Sequence, residues 1–329
     1  FPHCKMEDLQ EPLRWERLVT KLEAAIEKTQ KPTVICLQEV DETWAGRLHQ
    51  HFQSKDYHFA YAMTPMTYFP PIGVAMAWPK ALKVEDLRFL RPSGVLPHVS
   101  MPEESFWQRT KARLRAIFSS TESATGSLVR RAAPWSVAAR KQNRMLALRL
   151  EAPNGQRFVV ATYHMPCLFD EAVNRQAKAI HCVLLREALK THFPDDPLVL
   201  AGDFNTKPED SELRLLQTGE LDPKDVAFPE AYEGMELRDL HQASQTWQLR
   251  SAYAEHWGQE PEFTNYAWIE DCAESFRATL DYILISPQLE VVDVLELPQT
   301  KEGDPVYPTK EQPSDHVLLA ADLVIKDVK

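Results

Sequence analysis

The chain has 329 residues, 44% of them hydrophobic, enough for a globular α/β protein with a sizeable core. Its formal net charge of -11 excludes a grip on long nucleic acid by overall electrostatics and leaves only local contact. No apolar run approaches the roughly 20 residues needed to cross a bilayer, and no charged-then-apolar leader is visible. Five scattered cysteines (Cys4, Cys36, Cys167, Cys182, Cys272) without C-x-x-C spacing argue for a reducing, intracellular compartment, the cytoplasm before mitochondrion or nucleus, and against a zinc site. The start at Phe1 rather than Met reads as a fragment whose natural beginning lies upstream.

Leu13 to Lys28 sets Leu13, Leu18, Leu22, Ala25 and Ile26 among charged residues, the pattern of an amphipathic helix that Pro32 closes. Thr33 to Val40 reads as a buried strand carrying a carboxylate, Glu39, near its end; alone, Glu39 fits a cap or a surface charge as well as a ligand. Asp41, Glu42 and Thr43 open a second helix through His51. Residues 57 to 78 read as paired strands, Gly73 to Trp78 being the clearest apolar run.

From about Arg91 to Arg140 proline, serine and basic residues crowd in, Arg109, Lys111, Arg113, Arg115, Arg130 and Arg131 among them, with Lys141 and Arg144 just beyond. This stretch reads as a basic insertion, 91–140, with one short amphipathic helix around Phe106 to Phe118. It fits a solvated loop, or a flap that grips phosphate over an active site.

Met145 to Leu150 and Arg157 to Thr162 read as strands hinged at Pro153-Asn154-Gly155, and His164 follows the second. A lone histidine there fits a structural role equally well. Asn174 to Leu189 is a helix, followed by Leu198-Val199-Leu200-Ala201-Gly202-Asp203-Phe204-Asn205, where a buried strand breaks at glycine. Asp203 can hold a hard cation or take a proton from water, and Asn205 can donate to a phosphate oxygen; the same run also fits a turn closed by an Asx bond. A helix starts at Ser211. Asp281 enters the apolar run Phe276 to Ile285, and a buried carboxylate costs several kcal/mol without a partner. Asp315-His316, before a last strand from Val317 to Ile325, offers one.

Glu39 in Leu-Gln-Glu-Val, His164, Gly-Asp203-Phe-Asn205, Leu-Asp281-Tyr-Ile and Ser-Asp315-His316 occur in the order of the endonuclease/exonuclease/phosphatase superfamily, which the chain resembles outside 91–140. Phe-Thr-Asn265-Tyr, and Phe276 five residues before Asp281, resemble the carbon-catabolite-repressor-type deadenylases and their relatives nocturnin, Angel and the 2',5'-phosphodiesterase. Two departures stand out. The family's first strand, with its active-site Asn, lies before this start, and Phe169 stands where the deadenylases carry a base-pocket proline, with Pro166 nearer.

The resemblance implies a single catalytic domain over 1–329 with a four-layered α/β sandwich fold, two packed mixed sheets flanked by helices, DNase I-like. It implies Mg²⁺, with Mn²⁺ as a substitute, bound by Glu39 and with help from Asp315. Asp203 would orient or deprotonate water, Asn205 would hold the phosphate, and His316, fixed by Asp281, would stabilise it, with His164 on the opposite side. Phe276 would stack on a base, or simply pack, and Asn265 would touch sugar or base. The expected activity is 3'-to-5' exoribonuclease action releasing 5'-mononucleotides from an RNA 3' end, as part of an RNA-processing complex. The alternatives are a phosphatase on a small nucleotide or dinucleotide, and a non-catalytic binding module.

Overall fold

The computed structural model describes residues 1, 3–29, 31–64, 71–97, 124–169, 171–238, 248–268, 273–300 and 304–326. In chain order they form α1 (Glu11–Thr29), β1 (Ile35–Asp41), α2 (Glu42–Ser54), β2 (Tyr57–Met63), β3 (Ile72–Pro79) and β4 (Lys83–Leu90). There follow α3 (Ala124–Arg140), β5 (Met145–Glu151), β6 (Arg157–His164), α4 (Ala172–His192), β7 (Leu198–Asp203) and α5 (Ser211–Thr218). The last elements are β8 (Arg250–Ser251), α6 (Ala252–Trp257), β9 (Asn265–Ala267), β10 (Phe276–Ala278), β11 (Asp281–Ile285), β12 (Leu289–Val294) and β13 (Ala321–Ile325). The α2 start is capped as its sequence predicts, the Asp41 side chain accepting from the Trp44 N–H.

Strand alternation builds the layers. On β3, Val74, Met76 and Trp78 point one way and meet Leu146, Leu148 and Leu150 of β5 and Val160 of β6. Ala75 and Ala77 point the other way, toward Leu22 of α1 and Leu48 and Phe52 of α2. Beyond the second sheet, Met145, Ala147, Val159, Ala161 and Tyr163 pack on Trp135 of α3 and Ile180, Val183 and Leu184 of α4. The result is the expected four-layered sandwich, helix on sheet on sheet on helix. Each buried Leu, Ile or Val contributes about 1.5–3 kcal/mol to holding it. The smaller sheet runs β1-β3-β2, all antiparallel. The larger is mixed, in the order β4-β5-β6-β7-β11-β8, with β6 and β7 parallel.

Three expectations need correction. The insertion read at 91–140 ends in a core helix: α3 buries Ala132, Trp135 and Ala138 against α4, and the Trp135 indole N–H donates to the Glu230 carbonyl at 2.9 Å. Pro134 and paired arginines disguised it, because proline usually breaks a helix. Pro92 and Ser93 are buried too, the Ser93 hydroxyl donating to the Lys141 carbonyl. The helix predicted around Phe106 to Phe118 lies outside the described residues. The run Phe276 to Ile285 is two strands in different sheets, β10 and β11, because the Thr264 hydroxyl captures the amides of Leu280 and Asp281 at 2.9 and 3.0 Å. The last strand spans Ala321–Ile325 only, since Val317 instead donates its N–H to the Thr264 carbonyl at 2.8 Å.

Four strands carried no sequence signal strong enough to mark them. Edge strand β4 is half charged, β8 and β9 are two and three residues long, and β12 pairs among the described residues with β13 alone. No described helix is long and apolar enough to cross a membrane.

Candidate active site

Strand ends of the larger sheet meet at one edge. Asp203 closes β7, parallel pairing sets it beside His164 at the end of β6, and antiparallel pairing sets it opposite Asp281 at the start of β11. The close approach of β6 and β7 requires glycine before Asp203, because a Cβ on Gly202 would lie 2.0 Å from the Tyr163 carbonyl oxygen.

Past Asp203 the chain turns through Asn205, whose φ of 48° lies in the left-handed region. Asp203 Oδ1 accepts the Asn205 backbone N–H at 2.8 Å, so the Asx turn and the site are one structure. The Asn205 side-chain amide donates to the Met165 carbonyl at 3.0 Å and lies 3.2 Å from His164 Nε2. That imidazole nitrogen is also 3.4 Å from Asp203 Oδ2, and Asn143 Nδ2 donates to the His164 carbonyl at 2.7 Å.

Glu39 reaches the same place from the smaller sheet. Its φ is 55°, at an irregularity in the β1–β3 pairing between Leu37 and Val40. Such a conformation costs on the order of 1–3 kcal/mol, and a bulge re-aims the side chain that follows. The Glu39 carboxylate is 68% exposed, with Oε1 4.0 Å from His164 Nε2. Beside it, Gln38 Nε2 donates to Thr162 Oγ1 at 2.9 Å and ties the two sheets together under the site.

The fourth contribution comes from the end of the chain. Asn265 and His316 form a bridge, and the Tyr266 N–H donates to the Asp315 carbonyl at 2.9 Å. This pairing delivers His316 Nδ1 to Asp281 Oδ2 at 2.8 Å, while Thr264 Oγ1 donates to the same carboxylate oxygen at 2.6 Å. The carboxylate that the sequence places in an apolar run is half-buried and has its partners. Asp315 itself accepts from Asn265 Nδ2 at 3.4 Å. On the outer side, Arg14 Nε of α1 holds the Pro313 carbonyl at 3.0 Å and fixes the approach to Asp315 and His316.

Electrostatics follow from this crowding. Burial pushes the Asp203 carboxyl well above the usual carboxylate range, the Asp281 charge adding to it and His316 opposing it. Burial pushes His164 down, against the pull of Glu39. For His316 burial also acts downward, but the charge and hydrogen bond of Asp281, with Asp203 and Asp315, outweigh it and raise the ring to about 10.

One ligand atom each from Asp203, Asp281 and His316 falls within a 4.8 Å span. Glu39, His164 and Asn205 close the other side, while Asn265 and Asp315 stand beside His316 on the paired segments. Phe276 stands apart, its ring tilted against Phe169 with centroids 6.3 Å apart and the Lys207 ammonium 5.9 Å from its centre. Thr264, Gln38 and Lys178 were not singled out in the sequence. Of these only Lys178 carried a signal, a lysine amid the small and apolar residues of α4.

Layering of this kind, with acids and imidazoles gathered at one sheet edge, defines a DNase I-like α/β protein. The chain belongs to the Endonuclease/Exonuclease/phosphatase family, whose pattern matches residues 8–316 and whose members hydrolyse phosphoester bonds. It is 30% identical over 191 residues to Carbon catabolite repressor protein 4 homolog 4 of Arabidopsis thaliana, covering 55% of this chain and 41% of that protein. Over 140 residues it is 34% identical to the CCR4-Not complex 3'-5'-exoribonuclease subunit Ccr4 of Neurospora crassa, 41% of this chain and 17% of that protein. The chain thus matches less than half the length of either relative. The crystal structure of ANGEL2, a 2',3'-cyclic phosphatase, in complex with adenosine-2',3'-vanadate shares the fold with a TM-score of 0.66 at 18% identity, covering 98% of this chain and 89% of that one.

Enzymes of this family generally use divalent metals. The donor set fits a hard cation: buried Asp203 and half-buried Asp281 offer carboxylate oxygens within one short span, exposed Glu39 stands beside His164, and no thiolate is among these groups.

Proposed function

We propose that the protein is a Mg²⁺-dependent phosphodiesterase that shortens RNA from its 3' end and releases 5'-mononucleotides. The observation that carries this reading is the register that sets Asp203 between His164 and Asp281, with His316 bonded to Asp281 and Glu39 beside His164. Support for an RNA end comes from the aromatic pair Phe169 and Phe276 with Lys207 alongside, and from the name of the Neurospora relative. Membership of an RNA-processing complex, and a single catalytic domain across 1–329, belong to the same proposal.

Glu39, with Asp315 at a further position, would hold Mg²⁺ or Mn²⁺, which when bound neutralises charge on the phosphate. Asp203, kept basic by burial, orients the attacking water and takes its proton. The water oxygen bonds to phosphorus, the bond to the leaving 3' oxygen breaks, and that oxygen recovers a proton from solvent. The Asn205 amide donates to a phosphate oxygen. His316, its Nδ1 engaged by Asp281, offers Nε2 to the charge that develops on phosphorus, and His164 donates from the other side of Asp203. Phe276 stacks on the terminal base and Asn265 meets its sugar or edge.

Arg130 and Arg131 pair with Glu230 and are poor candidates for a phosphate grip. Lys141 and Arg144 lie beside His164 in the chain's path, since Asn143 bonds its carbonyl. A phosphatase acting on a small nucleotide is the second reading, favoured by the net charge of -11. The test is product analysis with Mg²⁺ on A20, mixed RNA, 2',5'-linked A3 and DNA beside phosphate release from NADP(H). A ladder of 5'-mononucleotides from RNA supports the first reading; phosphate from the dinucleotide without a ladder replaces it with the second.

A further inference from the structure

We propose that Lys178 is a positioning residue of this site: its buried ammonium pins the Asn205 peptide and sets a fixed positive charge behind the loop that holds phosphate. The inference rests on the reading of Asn205 given above.

Lys178 lies on α4 and is 1% exposed, yet no described carboxylate lies within ion-pair distance of its Nζ. The Nζ donates to the Asn205 carbonyl at 2.7 Å and sits 4.8 Å from the centre of the Phe169 ring. A carbonyl and a ring face only partly replace the hydration an ammonium loses on burial, whereas a methionine would fill the same space without that loss. Packing alone therefore gives no reason for lysine here.

Asn205 gives one. Its left-handed φ of 48° is a conformation that residues other than glycine adopt at a cost, so its surroundings must hold it there. Asp203 Oδ1 takes its N–H, the Met165 carbonyl takes its side-chain amide, and Lys178 takes its carbonyl. The backbone N–H and carbonyl of Asn205 and its side-chain nitrogen are then engaged, and of the three clamps the lysine is the one that brings positive charge. Glu39, Asp203, Asp281 and Asp315 make the edge acidic, while a phosphodiester is itself an anion. A buried cation that no described carboxylate pairs keeps its field in a medium of low dielectric and offsets that repulsion at the phosphate.

The test compares wild type, Lys178→Met and Asn205→Ala, using cleavage of the dinucleotide ApA with Mg²⁺ and thermal midpoints. The expected result for Lys178→Met is a kcat lower by roughly 10- to 100-fold, KM nearly unchanged, and a midpoint equal to or above wild type. An unchanged kcat overturns the inference, and so does a lowered midpoint or failure to fold, which would make the lysine a structural residue. Full turnover by Asn205→Ala, or no cleavage by wild type, overturns the underlying reading and the inference with it. Loss in Asn205→Ala without loss in Lys178→Met overturns the inference alone.

Discussion

Asp203 and Asp281 stand on the same rung of the β7–β11 pairing, two carboxylates on adjacent strands at a buried sheet edge. Folding would not choose this arrangement for stability, since burial and mutual charge both disfavour it. Asp281→Asn keeps the shape but removes the negative charge that holds His316 protonated and oriented. Turnover should fall by about 10²-fold or more, roughly 3 kcal/mol of transition-state stabilisation, with the melting temperature held or raised. Steady-state kinetics beside a thermal melt checks both; equal losses in the two would point to a scaffold role.

α1 reaches the same histidine from outside, through Arg14 Nε on the Pro313 carbonyl. Arg14→Ala frees that loop at a stability cost of about 1 kcal/mol, the usual worth of such a hydrogen bond. Activity should drop further than stability, by about tenfold. Rates measured well below the melting transition show whether it does.

Much of this site was legible in sequence because its residues sit at strand ends, where apolar runs stop at Gly202-Asp203 and at Tyr163-His164. Glu39, His164, Asp203, Asn205, Asp281 and His316 converge although they come from distant segments. Thr264 was hidden, since a hydroxyl carries no periodic signal and its work depends on register. α3 was hidden for a different reason: Pro134 and Arg130-Arg131 look like loop, and only the packing of Trp135 shows a helix. Edge strand β4, alternating charge with Leu87 and Phe89 exposed, lacks the apolar face that makes a strand visible.

Trp135 makes the α3 correction testable. Its side chain is fully buried against α4, so Trp135→Ala should cost about 3–5 kcal/mol in urea unfolding. A loop residue would cost almost nothing.

Acid should weaken the fold through His181. Burial holds this ring, which lies 3.2 Å from the Tyr163 hydroxyl, down at about 4. Its folded value is below the ordinary value of 6.5, so the unfolded chain takes up the proton first, and stability falls as pH drops from about 6.5 toward 4. By pH 4 the loss amounts to about 3 kcal/mol from this group. His181→Gln should flatten that decline in chemical denaturation curves measured at pH 7 and pH 4.5; an identical decline in the variant would assign it to other groups.

The most direct measurement is shortening of 5'-end-labelled A20 with Mg²⁺ by wild type and by Asp203→Asn, with thermal melts of both. Wild type should give a ladder that steps down one nucleotide at a time, the variant no detectable ladder, and the variant should melt no lower than wild type. Undiminished shortening by Asp203→Asn would contradict the assignment of Asp203, and with it the site's proposed chemistry.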